Sequence, residues 1–433
     1  MTKIRVGIIV KSDFPDPAHV SELLTLPELV VKLSEIPEAS LDLITVAVTG
    51  DTLDPKAFAL VQSKDIDIVI ALTRHRELLP VLLTASIPVI VAPRTPTLMG
   101  YVVDMVASLR IQGKDVFLAN SVNMIIDRIK AVIQKPYIGG RRVLLFSNSP
   151  FDSKTMPCPN LDSDQVRRVT GVEVLYHPLD ELKKAFDHVN ETRAQQEMEK
   201  WISDAVRIVE PSKEDILSAC RLYIALQDIV RMERLSGISI DCCSPRFRKD
   251  LSLPHPCLAF SRLRDDGISA PCEADLWALL SSLLLEQISK RPSFMGNVSA
   301  VDVVASTTTL AHCVVPLKLH GFNAQSVRYS LRDYHGSRQG VAPEIDFPTG
   351  EEVTMGCFTK DIRGFTLWPG TVVRAGHIEC RNSADIRIPD PCGFLQSIAG
   401  CHHVMVFGNY MTEIAKALRL MNIHINCPLN VNP

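Results

Sequence analysis

The chain has 433 residues, of which 46% are hydrophobic and 22% are charged, and its formal net charge at pH 7 is -3. This length is too great for one hydrophobic core and predicts two or three domains. The charge is balanced and no basic block occurs, which excludes the usual footprint of a nucleic-acid-binding protein. No apolar run reaches the roughly 18 residues that cross a bilayer, so we expect no membrane partner.

The first residues, MTKIRVGIIVKSDF, predict a β-strand rather than a secretion signal, because they lack a long apolar run and a cleavage site. The twelve cysteines are scattered, with neither a CxxC pair nor zinc-finger spacing. This pattern is typical of reduced thiols packed as small core residues. We therefore expect a cytoplasmic protein.

Residues 1–140 predict a doubly wound α/β domain. Continuous Val/Ile runs alternate with helical patterns, which indicates a parallel sheet covered on both faces. The predicted strands are 4–10, 41–50, 66–73, 87–93 and 116–120, and the predicted helices are 19–35, 55–63 and 75–85. Ligands of such folds collect at the carboxyl ends of the strands. The polar side chains at those ends, which ordinary solvated loops also explain, are Asp13, Arg74, His75 and Arg94.

Residues 141–302 repeat the alternation of strand and helix and predict a second doubly wound α/β domain. Strands are predicted over 142–153, 172–178 and 237–244, with Asp241 in the last of them. Amphipathic helices are predicted over 179–235, with a break at Pro211. No GxGxxG follows the first strand of either domain, so the sequence does not support a dinucleotide site.

Residues 303–433 predict a C-terminal antiparallel β-rich, barrel-like domain. Short β-branched segments such as EEVTMGCFT, GFTLWPGTVV and ADIRIPD are separated by Gly and Pro, which is typical of antiparallel sheets and barrels. HHVMVFGN predicts one more strand, and YMTEIAKALRLMNI predicts an amphipathic helix after it.

Glu273 is the first candidate for chemistry. It lies close to Pro271, which favours a first helical turn, and it opens an apolar helix marked by Leu276, Leu279, Leu280, Leu283, Leu284 and Ile288. A carboxylate at this position is held on a rigid element and is favoured by the helix dipole. A metal ligand or base needs that rigidity, although an ordinary acidic cap also explains the residue.

The pair His402 and His403 is the second candidate. Consecutive strand residues face opposite sides, so His403 shares its face with Met405 and Phe407. Both faces are apolar, and at least one imidazole therefore needs a metal, a carboxylate or another buried partner. A histidine that is simply packed in a strand is the alternative.

Four more polar residues are candidates for substrate contact. His312 lies in the apolar run LAHCVVP, His335 lies in the polar loop DYHGSRQG, and Arg381 stands at the head of a strand. Arg262 lies in the loop before Glu273. Packed histidines and local ion pairs are the ordinary explanations for such residues.

Several segments resemble known sugar isomerases. CEADLWALLSSLLLEQISKRPSFMGNV resembles the stretch that carries the catalytic carboxylates of L-fucose isomerase, and HHVMVFGNYMTEIAKALRLMNI resembles the strand and helix that end L-fucose and L-arabinose isomerases. PCLAFSRLRDDGISAPCEAD and LAHCVVP resemble a fucose-isomerase-like branch of that superfamily. The resemblance covers roughly 237–425 and implies two α/β domains followed by a β-rich domain.

The resemblance implies an aldose–ketose isomerase that uses Mn²⁺ or another divalent cation and passes through a cis-enediol. Glu273 takes the place of the family's glutamate, which is both ligand and base, and His403 takes the place of its histidine ligand. Asn297 stands where the family has a second carboxylate ligand. The resemblance therefore implies that Asn297 is a ligand or catalytic residue with an amide in place of the carboxylate. Asp302 or His312 could supply the missing group instead.

The resemblance also implies a sugar substrate and a homo-oligomer, which we predict to be a hexamer. A modified or anionic hexose fits the arginines Arg262, Arg264 and Arg381, because guanidinium groups bind oxyanions in bidentate fashion. The conversion of sulfoquinovose to sulfofructose is one concrete version. His312, His335 and His402 complete the predicted substrate contacts. The alternatives are an inactive sugar-binding or regulatory homologue and a metal-dependent epimerase or lyase.

Overall fold

The computed structural model describes residues 3–11, 26–35, 40–48, 55–63, 66–73, 76–85, 87–93, 99–133, 138–147, 163–377 and 380–427. The chain forms two compact units, the first of Met1–Lys135 with Leu420–Asn422 and the second of Pro136–Arg419 with Ile423–Pro433. The strand-end residues predicted from the sequence, Asp13, Arg74, His75 and Arg94, fall outside the described residues. Within the described ranges, no helix is long and apolar enough to span a membrane.

The first unit contains a parallel five-stranded sheet with strand order β2-β1-β3-β4-β5. Its strands are β1 (Lys3–Lys11), β2 (Ser40–Val48), β3 (Ile68–Thr73), β4 (Val89–Pro93) and β5 (Val116–Leu118). Its helices are α1 (Leu26–Ser34), α2 (Pro55–Gln62), α3 (Leu79–Leu83), α4 (Met99–Ile111) and α5 (Val122–Ile133). Along β3, Ile68 and Ile70 enter one apolar cluster while Val69 and Ala71 enter another. Both faces of the sheet are covered, as the continuous Val/Ile runs predicted.

The second unit begins with a three-stranded parallel sheet of strand order β7-β6-β9. The strands are β6 (Arg142–Phe146), β7 (Glu173–His177) and β9 (Gly237–Ile240), and a two-residue strand β8 (Arg207–Ile208) lies apart from them. The helices are α6 (Ser163–Thr170), α7 (Leu179–Asp187), α8 (Glu191–Asp204), α9 (Lys213–Glu233), α10 (Cys257–Asp265) and α11 (Leu276–Ser289). The predicted break at Pro211 is confirmed, because Ser212 caps α9 directly after it.

A closed antiparallel barrel of six strands follows. Around the barrel the order is β14-β17-β10-β11-β16-β15, and β15 pairs back with β14. The strands are β10 (Phe294–Asp302), β11 (Thr307–His312), β14 (Glu352–Phe358), β15 (Gly364–Gly376), β16 (Asn382–Arg387) and β17 (His402–Phe407). The smaller elements of this region are β12 (Ser330–Arg332), β13 (Ala342–Glu344), α12 (Pro391–Ser397), α13 (Met411–Leu420) and β18 (His424–Asn426). The predicted barrel-like region is confirmed. It also includes β10, which pairs with β11 and β17 but lies before the domain boundary predicted at 302.

Helix α11 connects the two layers of the second unit. Its residues are apolar on every side and nearly all are buried, and it packs against β9 of the parallel sheet and against β14 and β17 of the barrel. A helix that is hydrophobic all round belongs inside a core. Residues that precede α11 are therefore held between the sheet and the barrel.

Candidate metal centre

Glu273 lies in a tight turn that precedes α11. The helix begins at Leu276, and Asp275 is its N-cap, with a carboxylate oxygen that accepts the backbone N–H of Ala278 at 3.0 Å. The sequence placed Glu273 in the first turn of the helix; the structure places it two residues before the cap instead. The cause is Asp275, because a carboxylate that caps the helix fixes where the helix starts.

The turn has a strained backbone. Glu273 and Ala274 have φ values of 65° and 51°, and such left-handed conformations cost a residue with a side chain about 1–3 kcal/mol. The backbone N–H of Ala274 donates to the carbonyl of Ile240 at 3.0 Å, which ties the turn to the carboxyl end of β9. Residues in this conformation persist only where their surroundings hold them, and they concentrate at functional sites.

Three side chains from three separate segments converge on this turn. The Nε2 atoms of His312 and His402 lie 3.7 Å from the two carboxylate oxygens of Glu273, one on each. One ligand atom from each residue lies within 4.8 Å of the other two. His312 ends β11 and His402 begins β17, so the barrel supplies both imidazoles while the turn supplies the carboxylate.

Asp275 orients the imidazole of His402. The Nδ1–H of His402 donates to the carboxylate of Asp275 at 2.7 Å, and the two side chains are only 2% and 1% exposed. Burial disfavours the charged imidazole, but this hydrogen bond and the charge of Asp275 outweigh it and raise the pKa of His402. The proton held on Nδ1 leaves Nε2 directed at Glu273, an arrangement usual for histidines that bind metals.

The charge state of Glu273 also suits a ligand. The imidazole of His312, 3.7 Å away, is the largest influence on this carboxylate; it outweighs burial, and together with the positive charge of His402 it lowers the pKa of Glu273 to about 2. Burial is the main cause of the lowered pKa of His312. The site therefore presents a carboxylate and, at His312, a neutral imidazole, which are the protonation states that bind divalent cations.

Of the two consecutive histidines, the structure places His402 beside Glu273, whereas the resemblance implied His403. His403 is fully buried on the opposite face of β17, with its ring centroid 5.6 Å from that of Phe394. Neither ring nitrogen has a hydrogen-bond partner among the described residues, and burial lowers its pKa to about 4. His402 rather than His403 joins Glu273, because α11 packs on the face of β17 to which His402 points.

Asn297 lies on the same face of the barrel as His402. The two residues are direct partners in the pairing of β10 with β17, so their side chains project from the same side of the sheet. The side chain of Asn297 is half-buried. Asp302 is elsewhere, at the turn between β10 and β11, where its carboxylate accepts the backbone N–H groups of Val304 and Ala305. The suggestion that Asp302 replaces the missing carboxylate is therefore not supported.

The other predicted substrate contacts have partners outside this cluster. Arg262 pairs with Glu197 at 2.9 Å, and Arg381 pairs with Asp333. Arg264 is buried and donates to the carbonyl of Ala270 at 3.0 Å. His335 contacts the thiol of Cys380 at 3.5 Å. The structure does not bring these side chains to Glu273.

Two residues that the sequence analysis did not assign lie in the electrostatic environment of Glu273. Asp241 follows β9, and burial, with a smaller contribution from the charge of Glu273, raises its pKa. Arg248 lies in a short π-helical turn (Arg246–Asp250), and its positive charge contributes to the lowered pKa of Glu273. A usable signal existed for Asp241, because it stands at the carboxyl end of a parallel strand, where ligands of such sheets collect.

Comparison with known proteins finds one similarity over part of the chain. No protein-family model matches the chain. Over 93 residues the chain is 31% identical to the sulfoquinovose isomerase of Clostridium sp. (strain MSTE9). Over that stretch the chain resembles a sugar isomerase. The match covers 22% of this chain and 20% of that protein, so the activity of the whole protein does not transfer directly.

The donor set of the cluster fits a divalent first-row cation. It has one carboxylate and two imidazoles, and the amide of Asn297 projects from the same face of the barrel as His402. Oxygen donors suit Mn²⁺, and imidazoles suit the other first-row ions as well. Glu273, His312 and His402 are therefore candidate metal ligands, and their chemistry does not distinguish among these ions.

Proposed function

We propose that the chain is a metal-dependent aldose–ketose isomerase. The convergence of Glu273, His312 and His402, with His402 oriented by Asp275, is the observation that carries the proposal. The similarity to a sulfoquinovose isomerase over 93 residues supports the reaction class. A bound Mn²⁺ or similar ion would supply Lewis-acid stabilisation of negative charge on the sugar oxygens.

The reaction needs a group that moves a proton between neighbouring carbons. A base removes the proton beside the carbonyl, and the same or a second group returns a proton to the adjacent carbon. Glu273 is ionised, so it can accept a proton as well as bind the cation, but its lowered pKa makes it a weak base. Asp241 supplies the second carboxyl that Asn297 does not provide, and its raised pKa brings it closer to the pH at which a proton carrier works best.

Arg248 is the best candidate for recognition of an anionic sugar. Its hydrogen bonds go to the carbonyl of Cys242 at 3.0 Å, to the thiol of Cys243 and to the hydroxyl of Tyr334 at 3.2 Å, and none of these acceptors is a carboxylate. A guanidinium group near Glu273 suits a sulfonate or phosphate. We therefore propose an anionic hexose such as sulfoquinovose as substrate, with Arg248 in the role that the sequence suggested for Arg262, Arg264 and Arg381.

The test is isomerisation by protein that has been stripped of metal and reloaded with Mn²⁺. A panel of neutral, phosphorylated and sulfonated aldoses would be incubated in D₂O and followed by NMR. We expect a ketose product, and deuterium at the neighbouring carbon. Metal binding without turnover or exchange would favour a sugar-binding homologue. Exchange without a ketose would favour an epimerase or lyase.

The role of Arg248 has a matched control in the same short turn. Arg246 pairs with Asp180 at 2.6 Å. We expect Arg248→Gln to raise KM for the anionic sugar and to leave activity on a neutral sugar nearly unchanged, whereas Arg246→Gln should change neither. Equal effects of the two variants would contradict the assignment.

The predicted hexamer remains a prediction, and light scattering of the purified protein would test it.

A further inference from the structure

A second group of metal-binding side chains lies beside the first. One ligand atom from each of Cys313, His335 and Cys380 lies within 4.8 Å of the other two, and the Cys380 thiol is 3.5 Å from Nε2 of His335. The two cysteines are buried thiols, and His335 is exposed. Cys313 directly follows His312, so adjacent residues of the chain belong to the two groups.

Buried contacts fix the segments that carry these three residues. Cys313 follows β11 and Cys380 precedes β16, and these two strands pair in antiparallel fashion. The side-chain amide of Asn382, on β16, donates to the backbone carbonyl of Cys313 at 3.2 Å. The strands therefore hold the two thiols in a defined relation.

The loop that carries His335 is tied to the same place. The guanidinium of Arg381, next to Cys380, donates to the carbonyl of Asp333 at 2.8 Å and also pairs with its carboxylate. That carboxylate accepts the backbone N–H groups of Gly336 and Arg338, which closes the loop around His335. His335 itself has a φ of 52°, a conformation that the loop holds in place.

We infer that Cys313, Cys380 and His335 bind a thiolate-preferring divalent cation such as Zn²⁺, at a site separate from Glu273, His312 and His402. Two sulfurs and one imidazole form a donor set selective for Zn²⁺ over Mn²⁺. At Zn–S and Zn–N lengths of about 2.3 and 2.1 Å, tetrahedral geometry separates sulfur from nitrogen by about 3.6 Å. The separation of 3.5 Å between Cys380 and His335 agrees with this value.

The three protein ligands leave a fourth tetrahedral position for water or another small ligand. The exposure of His335 provides a route for the cation to enter. An ion at this site would hold the end of β11, and it would therefore steady the position of His312 in the neighbouring site. This inference does not depend on the reaction that the Glu273 site performs.

The test is Co²⁺ titration of metal-free protein kept reduced and free of oxygen. We expect the thiolate-to-Co²⁺ charge-transfer absorption in the near ultraviolet, which ligands without sulfur do not produce. Cys380→Ala should abolish the band. The matched control is Cys220→Ala, which removes another buried thiol but lies in the core and should keep the band. His335→Asn, on an exposed loop and able to keep a positive φ, should weaken Co²⁺ binding at least tenfold without unfolding the protein.

Metal analysis of the purified variants separates the two sites. We expect Cys380→Ala to lose Zn²⁺ and keep Mn²⁺, and His402→Leu to lose Mn²⁺ and keep Zn²⁺. Absence of the charge-transfer band in the wild-type protein would overturn the inference. A disulfide between Cys313 and Cys380, found by peptide mapping of the protein as purified, would overturn it as well. Neither result would bear on sugar isomerisation.

Discussion

Replacement of Asp275 by Asn should weaken metal binding while leaving the helix cap in place. One carboxylate oxygen of Asp275 accepts the N–H of Ala278, and the other accepts the Nδ1–H of His402. Asn is as good an N-cap as Asp, so its carbonyl oxygen keeps the first of these bonds. Its NH₂ group then faces His402, which can satisfy that donor only by moving the ring proton to Nε2. The nitrogen directed at Glu273 would lose its lone pair.

The expected loss of metal affinity can be given a size, because Asp275 would act through a hydrogen bond to a metal-binding histidine and not as a ligand itself. Loss of the group that orients a metal-bound histidine typically costs 10–100-fold in metal affinity, which is about 1.4–2.7 kcal/mol. Burial of both Asp275 and His402 leaves little room for water to replace the hydrogen bond. We therefore expect Asp275→Asn to fall within this range.

Calorimetric titration of metal-free protein with Mn²⁺ would measure the change. Asp390→Asn is the matched control, because Asp390 caps α12 through the N–H of Gly393 at 2.9 Å and its described hydrogen bond involves no histidine. The control should bind Mn²⁺ like the wild-type protein. If Asp275→Asn also binds Mn²⁺ like the wild type, Asp275 does not orient a ligand and His402 does not belong to a metal site.

Four further outcomes test the assignment of these residues. His402→Leu should abolish Mn²⁺ binding and His403→Leu should preserve it, because only the first ring reaches Glu273; equal losses would contradict this geometry. The buried ring of His403 has a pKa of about 4 and takes up a proton on unfolding, so the wild type should become less stable to urea as pH falls from 6.5 to about 4. The stability of His403→Leu should fall less over the same range. In metal-free protein, Glu273 should contribute up to about 3 kcal/mol of stability above pH 4.5, because its pKa falls from 4.5 to about 2 on folding. That contribution should disappear as the pH approaches 2, and Glu273→Gln should lack it throughout. Asp241→Asn should lower kcat by about 10²–10⁴ with unchanged Mn²⁺ affinity; a parallel loss of affinity would make Asp241 a ligand instead of a proton carrier.

Local hydrophobic patterns made much of the fold predictable. Strands β3 and β4 of the first unit are Val/Ile runs buried on both faces, and the five strands of the unit alternate with helices along the chain. The barrel strands were recognisable from short β-branched segments between Gly and Pro. Strand ends were less predictable: the strand predicted over 237–244 ends at Ile240, because the residues from Asp241 onward form a turn that periodicity does not reveal.

The sequence predicted those features of the site that depend on a single segment of the chain, and not those that depend on contacts between segments. Glu273 stands out because it precedes a long apolar helix and belongs to a recognisable motif. The resemblance favoured His403 as the ligand, and the residues alone could not correct that choice, since both faces of β17 are apolar and the contact that places His402 in the site is with Asp275, 127 positions away. His312 was left between a substrate contact and a replacement for the missing ligand, because nothing in LAHCVVP indicates that its ring meets a carboxylate. These contacts join residues that are far apart in the sequence, and hydrophobic periodicity gives no information about them.

The site is complete only when β17 is in its place in the barrel, because β17 carries His402. The strand follows β10 and β14 in sequence, yet it is inserted between them. Until that insertion, both neighbours present an open edge, which is a template for intermolecular pairing, and the carboxylate of the turn before α11 has only one imidazole beside it. A cation that binds the closed barrel and not the open one stabilises the closed form by mass action. A cation at this site would thus favour the inserted strand over the two open edges.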